Sequence, residues 1–287
     1  MQDALTALTL GSTYVLLAVG LSMIYGILRI IHVAHAGVYT IGAYVGYLAW
    51  GQTGSVWVAL VGGMAAGALS GWLIYALMYR RLLEAPRYVP LIASIGAFIV
   101  IQDLLSKPWL MGSDRLAMQA DPGLPSVGVL GATVSPEALY VLVVTAALLL
   151  ALAVLFRRSD IGLQWRATAS DRELAGASGV SVERAIASTF AVGSALAGAA
   201  GVTVAVYTES VFAFMGEVPS YKAFVIVVLG GLGAVLGPVV AGFVLAFAET
   251  LLIANAGFVL PRDAIAFLIL VIVLIVRPQG LFGRARA

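Results

Sequence analysis

A polar stretch interrupts an otherwise apolar chain at Arg166 to Gly179, which reads RATASDRELAGASG. Ser170 and Glu173 have the spacing of a helix capping box, and Gly179 suits a left-handed helix end, so the pattern predicts a short helix between Ser170 and Gly179. Six of the fourteen residues are alanine or glycine, and small side chains suit a helix that packs into a groove on another protein. A solvated loop rich in arginine is the alternative interpretation.

A second set of polar residues lies within apolar sequence and is predicted to face a solute pathway. Charged groups in such segments are costly and usually face a bundle interior or water. The histidines would serve as structural hydrogen-bonding groups or as contacts for a passing solute. The acid, within GFVLAFAETLLIAN, would be paired across helices, protonated or exposed to the pathway, and pairing is the preferred interpretation. The candidates are Tyr25, His32, His35, Tyr39 and Glu249.

Several kinds of chemistry are excluded by residue type. The chain has no cysteine and two histidines, which argues against disulfides and a metal centre. No nucleophile, base and orienting group fall together, so the chain is not expected to be an enzyme. The segment GGLGAVLG lacks the lysine and hydroxyl of a phosphate-binding loop, and no cofactor is expected in this chain. Its glycines instead predict close packing and a break in a helix. They are Gly230, Gly231, Gly233 and Gly237.

The composition indicates a membrane protein, since 62% of residues are hydrophobic, 10% are charged and the mean hydropathy is +1.05. The apolar runs are continuous rather than alternating, which favours helices over a barrel. The expected fold is therefore an all-α polytopic bundle of about eight or nine membrane segments, some broken by glycine. The predicted segments are Leu5–Leu28, Ala36–Trp50, Ser55–Tyr79, Tyr88–Leu105, Glu137–Phe156, Ala185–Tyr207, Tyr221–Leu236, Pro238–Ala254 and Ala264–Val276.

Short basic loops predict the orientation, because such loops stay in the cytoplasm. The stretches Lys107–Pro136 and Thr208–Ser220 then lie outside, and three crossings before Arg80 place the amino terminus outside. The arginines that mark the cytoplasmic side are Arg80, Arg81, Arg87, Arg157, Arg158, Arg166, Arg172, Arg184, Arg277, Arg284 and Arg286.

Two further patterns concern how the helices pack. A short glycine-rich segment precedes a longer one at Ala36–Tyr79 and again at Tyr221–Ala254, in opposite senses, which is typical of an inverted repeat. Small residues that recur every four positions predict faces where helix backbones approach closely. These are Gly63, Gly67 and Gly71 on one segment, and Gly193, Ala197 and Gly201 on another.

Several stretches of the chain match the sequence of a known family of membrane proteins. The residues Glu173, Ala175 and Gly179 match the core of the cytoplasmic loop that ABC importer permeases share. Three longer stretches sharpen the match, and they are LTLGSTYVLLAVGLSMIYGI at Leu8–Ile27, RATASDRELAGASGVSVERAIASTFAVGSALAGAAGV at Arg166–Val202, and KAFVIVVLGGLGAVLGPVVAGFVLAFAE at Lys222–Glu249. Together they resemble the permease subunits of branched-chain amino acid ABC importers, and the resemblance covers nearly the whole chain.

This resemblance implies a multi-pass subunit of the bacterial cytoplasmic (inner) membrane, with residues 1–287 as one permease domain. The implied partners are a second, related permease chain, two cytoplasmic ATPases that bind the ATP, and an external solute-binding protein. The loop 157–184 would couple the permease to the ATPases, which drive alternating access. The coupling residues would be Arg166, Asp171, Arg172, Glu173, Ala175 and Gly179.

The chain departs from the family near its histidines. Family members usually carry asparagine, two residues, histidine, glycine and glutamate there. In this chain, His35 matches the histidine, while His32 replaces the asparagine and Gly37 the glutamate. A permease for urea, amides or sugars with the same architecture is an alternative, and a proton-driven transporter that uses Glu249 and the histidines is another.

Overall fold

A computed structural model describes residues 1–129, 131–256, 261–277 and 279–282. Arg284 and Arg286, which were assigned to the cytoplasmic side, lie outside these ranges. The helices are α1 Gln2–Leu28, α2 His35–Thr53, α3 Val56–Ile74, α4 Arg80–Leu82, α5 Tyr88–Leu105, α6 Pro136–Arg158, α7 Asp160–Ser170, α8 Arg172–Ala177, α9 Val182–Thr208, α10 Glu217–Gly230, α11 Gly237–Ala256 and α12 Arg262–Val276.

The predicted helical membrane fold is confirmed in outline. Six of the described helices are long and apolar enough to cross a membrane. Among them, α3 continues through a π-helical turn at Tyr75–Tyr79 into α4, so the whole span is Val56–Leu82. Helices α2, α10 and α12 correspond to three further predicted segments, and α10 and α12 are only 14 and 15 residues long.

Capping residues explain where several helices begin. The Ser135 hydroxyl accepts a hydrogen bond from the backbone N–H of Ala138, and Pro136 occupies the first turn of α6. Ser159 begins α7 in the same manner by accepting from Gly162. Each hydroxyl satisfies a backbone donor that has no partner within its own helix.

Glycine faces bring α2, α3 and α9 together at the centre of the bundle. A Cβ atom built on Gly198 of α9 would fall within 3.0 Å of the backbone of Gly63 on α3. A Cβ on Gly42 of α2 would likewise overlap Gly198. The predicted close approach along Gly63, Gly67 and Gly201 is therefore confirmed, and it buries most of α9.

Short strands and contacts between loops define one end of the bundle, called here the loop end. Strands β2 (Val127–Val129) and β3 (Ala132–Val134) form a hairpin, while β1 (Leu116–Ala117) pairs antiparallel with β4 (Ser210–Val211). Gln2, at the start of α1, contacts this hairpin by donating to the Thr133 carbonyl.

The opposite end, called here the arginine end, gathers basic residues from several helices. Arg80 forms a 2.8 Å salt bridge with Glu183 at the start of α9, and Arg172 contacts the last turn of α1. Helices α2 and α3 thus run towards and away from the loop end, and α10 and α11 run in the opposite senses. An inverted repeat requires this arrangement, and the repeat itself stays a prediction.

Candidate functional site

The polar stretch forms two helices with a sharp corner between them. The expected cap, Ser170, is instead the last residue of α7, and Asp171 caps α8. The Asp171 carboxylate accepts hydrogen bonds from the backbone N–H groups of Glu173 at 2.9 Å and Leu174 at 3.0 Å. The prediction of Ser170 as cap was wrong because the extended backbone of Asp171 places a charged acceptor over the first free donors.

The carboxyl end of α8 has the predicted left-handed glycine. Gly179 has φ of +86°, and the backbone N–H of Val180 donates to the Ala175 carbonyl at 3.0 Å. A second bond joins the N–H of Gly179 to the Gly176 carbonyl. These two bonds form a Schellman motif, which stops α8 after six residues.

The outward face of α8 differs from the expected one. Ala175 was expected to face a partner protein, but its side chain is 5% exposed and packs inside this chain. Leu174 is 67% exposed, which is unusual for a leucine, and Glu173, Gly176 and Ala177 are exposed with it. The surface that α8 offers is therefore an apolar leucine beside small residues and one carboxylate.

Arg172 ties α8 to the end of a buried helix. Its guanidinium donates to the carbonyl of Ile27, in the last turn of α1, at 2.6 Å. That turn ends at Arg29, which has φ of 56°. Partial burial lowers the pKa of the Arg172 guanidinium, and the positive charge of Arg29 adds to this effect. The arginine satisfies a carbonyl left without a partner at the helix end.

Helix α7 is held by two other side chains. Trp165 is buried and donates its indole N–H to the Ser188 hydroxyl of α9 at 2.9 Å. Arg166 donates to the Phe156 carbonyl of α6, with its guanidinium 5.3 Å from the Phe156 ring. Sequence reasoning missed Trp165, although a tryptophan in a polar stretch is a signal of anchoring. Helices α7 and α8 therefore contact α1, α6 and α9 through defined bonds.

The two histidines lie together on the wall of a cavity of about 290 Å³. His32 is buried, with its Nδ1 3.0 Å from the Tyr79 hydroxyl and its ring against the edges of Tyr79 and Phe190. His35 is also buried, and neither ring nitrogen makes a hydrogen bond of good geometry to a described residue. The structure thus gives His32 a structural partner and leaves His35 facing the cavity.

A second cavity of about 130 Å³ adjoins the first, because Leu17 and Ala223 line both. Tyr39 lines this second cavity, and its hydroxyl has no hydrogen-bond partner among the described residues. Tyr25 is half-buried and lines neither cavity. The structure therefore brings His32, His35 and Tyr39 along one seam of the bundle and leaves Tyr25 apart.

Glu249 is paired across helices, as the preferred interpretation held. It is fully buried, and both carboxylate oxygens lie 3.0 Å from Nζ of Lys222, which is 3% exposed. The Tyr14 hydroxyl donates to Glu249 at 3.1 Å, and Nζ of Lys222 donates to the Tyr14 oxygen at 2.9 Å. Asp263 lies 3.5 Å from the same Nζ. Sequence reasoning missed Lys222, although its position in an apolar run was a signal.

The glycine-rich segment between α10 and α11 breaks the helical run and packs closely, as predicted. Gly231 and Gly233 have φ of +98° and +84°, values that residues other than glycine rarely adopt. Gly230 and Gly237 approach so closely that a Cβ on either would overlap the other's backbone. Ser22 of α1 donates to the Ala234 carbonyl at 2.9 Å and satisfies one group of the turn.

Comparisons with known proteins place this arrangement among membrane permeases. A family described as "Branched-chain amino acid transport system / permease component" matches residues 4–276. The high-affinity branched-chain amino acid transport system permease protein LivH of Escherichia coli (strain K12) is 34% identical over 99% of this chain and 96% of its own length. BraD of Pseudomonas aeruginosa, which carries the same description, is 32% identical over the same shares. No solved structure gives a significant match.

Proposed function

The chain belongs to the family of permease components of branched-chain amino acid transport systems, and on that premise we propose that it is the membrane-spanning subunit of an ATP-driven importer. Its solutes are branched-chain, hydrophobic amino acids. It lies in the bacterial inner membrane and carries solute while separate ATPase chains bind and hydrolyse the ATP.

The observation that carries this proposal is the way α8 is held. The helix is capped at both ends, exposes Leu174 and bonds through Arg172 to the final turn of α1. A protein that binds this face and moves would pull on α1, which forms part of the wall of both cavities through Leu17. This linkage supports coupling between a cytoplasmic motor and the solute pathway.

The whole chain functions as one permease domain, residues 1–287, with the coupling segment at 157–184. A second permease chain, related but different, completes the membrane unit. Two cytoplasmic ATPases dock on the coupling segments, and an external binding protein delivers the solute. The residues Arg166, Asp171, Arg172, Glu173 and Gly179 shape or anchor the coupling segment rather than react with ATP.

We propose about eight or nine membrane segments, with the amino terminus outside and the arginine end in the cytoplasm. Single cysteines in this cysteine-free chain test the orientation. We expect Ser126→Cys to react with an impermeant maleimide in intact cells, and Arg158→Cys to react only after permeabilisation. The reverse pattern would contradict the orientation, and the unaltered chain serves as the unlabelled control.

The solute is tested by uptake in a strain that lacks this gene. We expect plasmid-borne expression to restore uptake of radiolabelled leucine. An excess of unlabelled valine or isoleucine should abolish this leucine uptake. Urea and ribose, which represent the alternative solutes, should leave leucine uptake unchanged. Restored uptake that urea blocks and valine does not would reject the branched-chain assignment.

The proton-driven alternative has little support from the geometry. It needs an acid that exchanges protons with the pathway, whereas Glu249 lines neither of the two cavities and its carboxylate accepts hydrogen bonds from Lys222 and Tyr14. In the uptake assay, a protonophore applied with cellular ATP maintained should leave leucine uptake intact. Collapse of uptake under that condition would favour the alternative.

A further inference from the structure

The cluster of Lys222, Glu249 and Tyr14 buries two charged groups, and their desolvation has a high free-energy cost. It places a cation and an anion at 3% and 0% exposure on α10 and α11, inside the helix bundle. Burying an ion pair seldom stabilises a fold more than apolar side chains of the same size would. Ionisable groups kept at such depth usually serve a pathway.

The cluster also forms part of a cavity wall. Lys222 and Tyr14 line the 130 Å³ cavity, and Tyr39 of α2 lines it with them. Leu10, Leu17, Val204 and Ala223 supply apolar surface in the same wall. The cavity thus joins one cation and three phenols, the third being Tyr207, to a hydrophobic surface. Such a wall complements an amino acid that has an apolar side chain and a carboxylate.

Tyr39 provides an independent observation. Its side chain is 1% exposed, yet its hydroxyl finds no hydrogen-bond partner among the described residues. A buried hydroxyl without a partner is costly, and a polar group that enters the cavity can satisfy it. The hydroxyl of Tyr39, which lines this cavity, is therefore available to a ligand there.

We propose that Lys222 and Tyr39 form a transient site for the α-carboxylate of the amino acid as it crosses the membrane. The ammonium of Lys222 and the hydroxyl of Tyr39 donate to the carboxylate, while the branched side chain contacts the apolar wall. Glu249 is a positioning residue, because its carboxylate and the Tyr14 oxygen hold the ammonium in place. A zwitterion as a whole adds no net charge to the site, and its carboxylate shares the ammonium with Glu249 and with Asp263, which lies 3.5 Å from Nζ.

The site rests on the proposed function, since it requires amino acid transport by this chain. The proposal adds to that function the position at which the α-carboxylate of the solute is bound. The binding protein sets the apparent KM by its own affinity, so a defect at this site should lower the maximal uptake rate instead. The neighbouring 290 Å³ cavity, which shares Leu17 and Ala223 with this one, is lined by His35.

The first test compares Tyr39→Phe with Tyr44→Phe in the complete transporter reconstituted in liposomes. Both hydroxyls are buried without a described partner, but Tyr44 does not line this cavity. We expect Tyr39→Phe to lower the maximal rate of leucine uptake by about tenfold, the loss of one hydrogen bond to a charged group, at unchanged KM. Tyr44→Phe should transport normally, and equal rates for both variants would overturn the proposal.

The second test removes the charges as a pair, because Lys222→Met alone would leave Glu249 buried and unpaired. The double variant Lys222→Met with Glu249→Leu keeps the volume and should assemble. We expect it to hydrolyse ATP in response to leucine-loaded binding protein while its leucine uptake falls at least as far as that of Tyr39→Phe. Full uptake would reduce the cluster to a structural pair and overturn the proposal.

A failure of the proposed function looks different from a failure of this site. If the proposed function is wrong, the unaltered complex will show no ATP-dependent leucine uptake, whatever the variants do. A failure of the site alone would leave the unaltered complex active and the variants equally active. The amount of assembled complex, measured by size-exclusion chromatography, verifies that each variant has folded.

Discussion

Replacement of Gly198 with leucine is expected to remove the folded chain from the membrane. Gly198 lies where α9 meets α2 and α3, against the backbones of Gly42, Gly63 and Gly67. A side chain there must push three helices apart, and overpacking of this kind costs about 3 kcal/mol or more when no neighbour can yield. We expect little monodisperse protein in fluorescence-detected chromatography and a lower thermal midpoint for any that remains.

Gly96→Leu is the matched control for this substitution. Gly96 is an exposed helical glycine on α5, and a Cβ there would meet no described atom within 4 Å. Its substitution should leave the amount and the thermal midpoint of the purified chain unchanged. Equal behaviour of the two variants would show that the helices do not approach as closely as the structure indicates.

The sequence predicted the helices because each apolar run is long, continuous and bounded by polar or glycine-rich residues. It also predicted closely packed faces on α3 and on α9, since small residues spaced by four positions fall on one helix face. Gly179 could be assigned to a left-handed position for a similar local reason. These features depend on residues near each other in the chain.

Features that depend on distant residues were predicted less well. Both Ser170 and Asp171 can cap a helix, and the choice depends on where α7 ends against α9. The burial of Ala175 follows from the packing of α8 on this chain, which no local pattern reveals. Lys222 and Glu249 are 27 residues apart, and only the turn at Gly230–Gly237 brings them together.

A tryptophan at Gly176 is expected to stop transport without disturbing the permease itself. Gly176 is exposed on α8, and a Cβ there meets only the Val182 side chain, at 3.9 Å. The indole would cover the face beside Leu174 and keep an ATPase from docking. We expect leucine uptake in cells to fall by at least about tenfold, equivalent to 1.4 kcal/mol of lost association.

Two control variants test whether the effect of Gly176→Trp depends on the position and the size of the new side chain. Glu84→Trp places the same side chain at another exposed position of the arginine end and should preserve uptake. Gly176→Ala adds only a methyl group in ordinary van der Waals contact with Val182 and should also preserve uptake. Gly179 is less suitable for this purpose, because any side chain strains its left-handed backbone and could deform α8 directly.

Co-purification of the ATPases with the tagged permease tests most directly whether α8 couples this chain to an ATP-driven motor. The unaltered chain and the Glu84→Trp variant should retain the ATPases. The Gly176→Trp variant should lose them while its own amount in the membrane stays the same. Full retention of the ATPases by Gly176→Trp, together with undiminished leucine uptake, would contradict the assignment of α8 as the coupling helix.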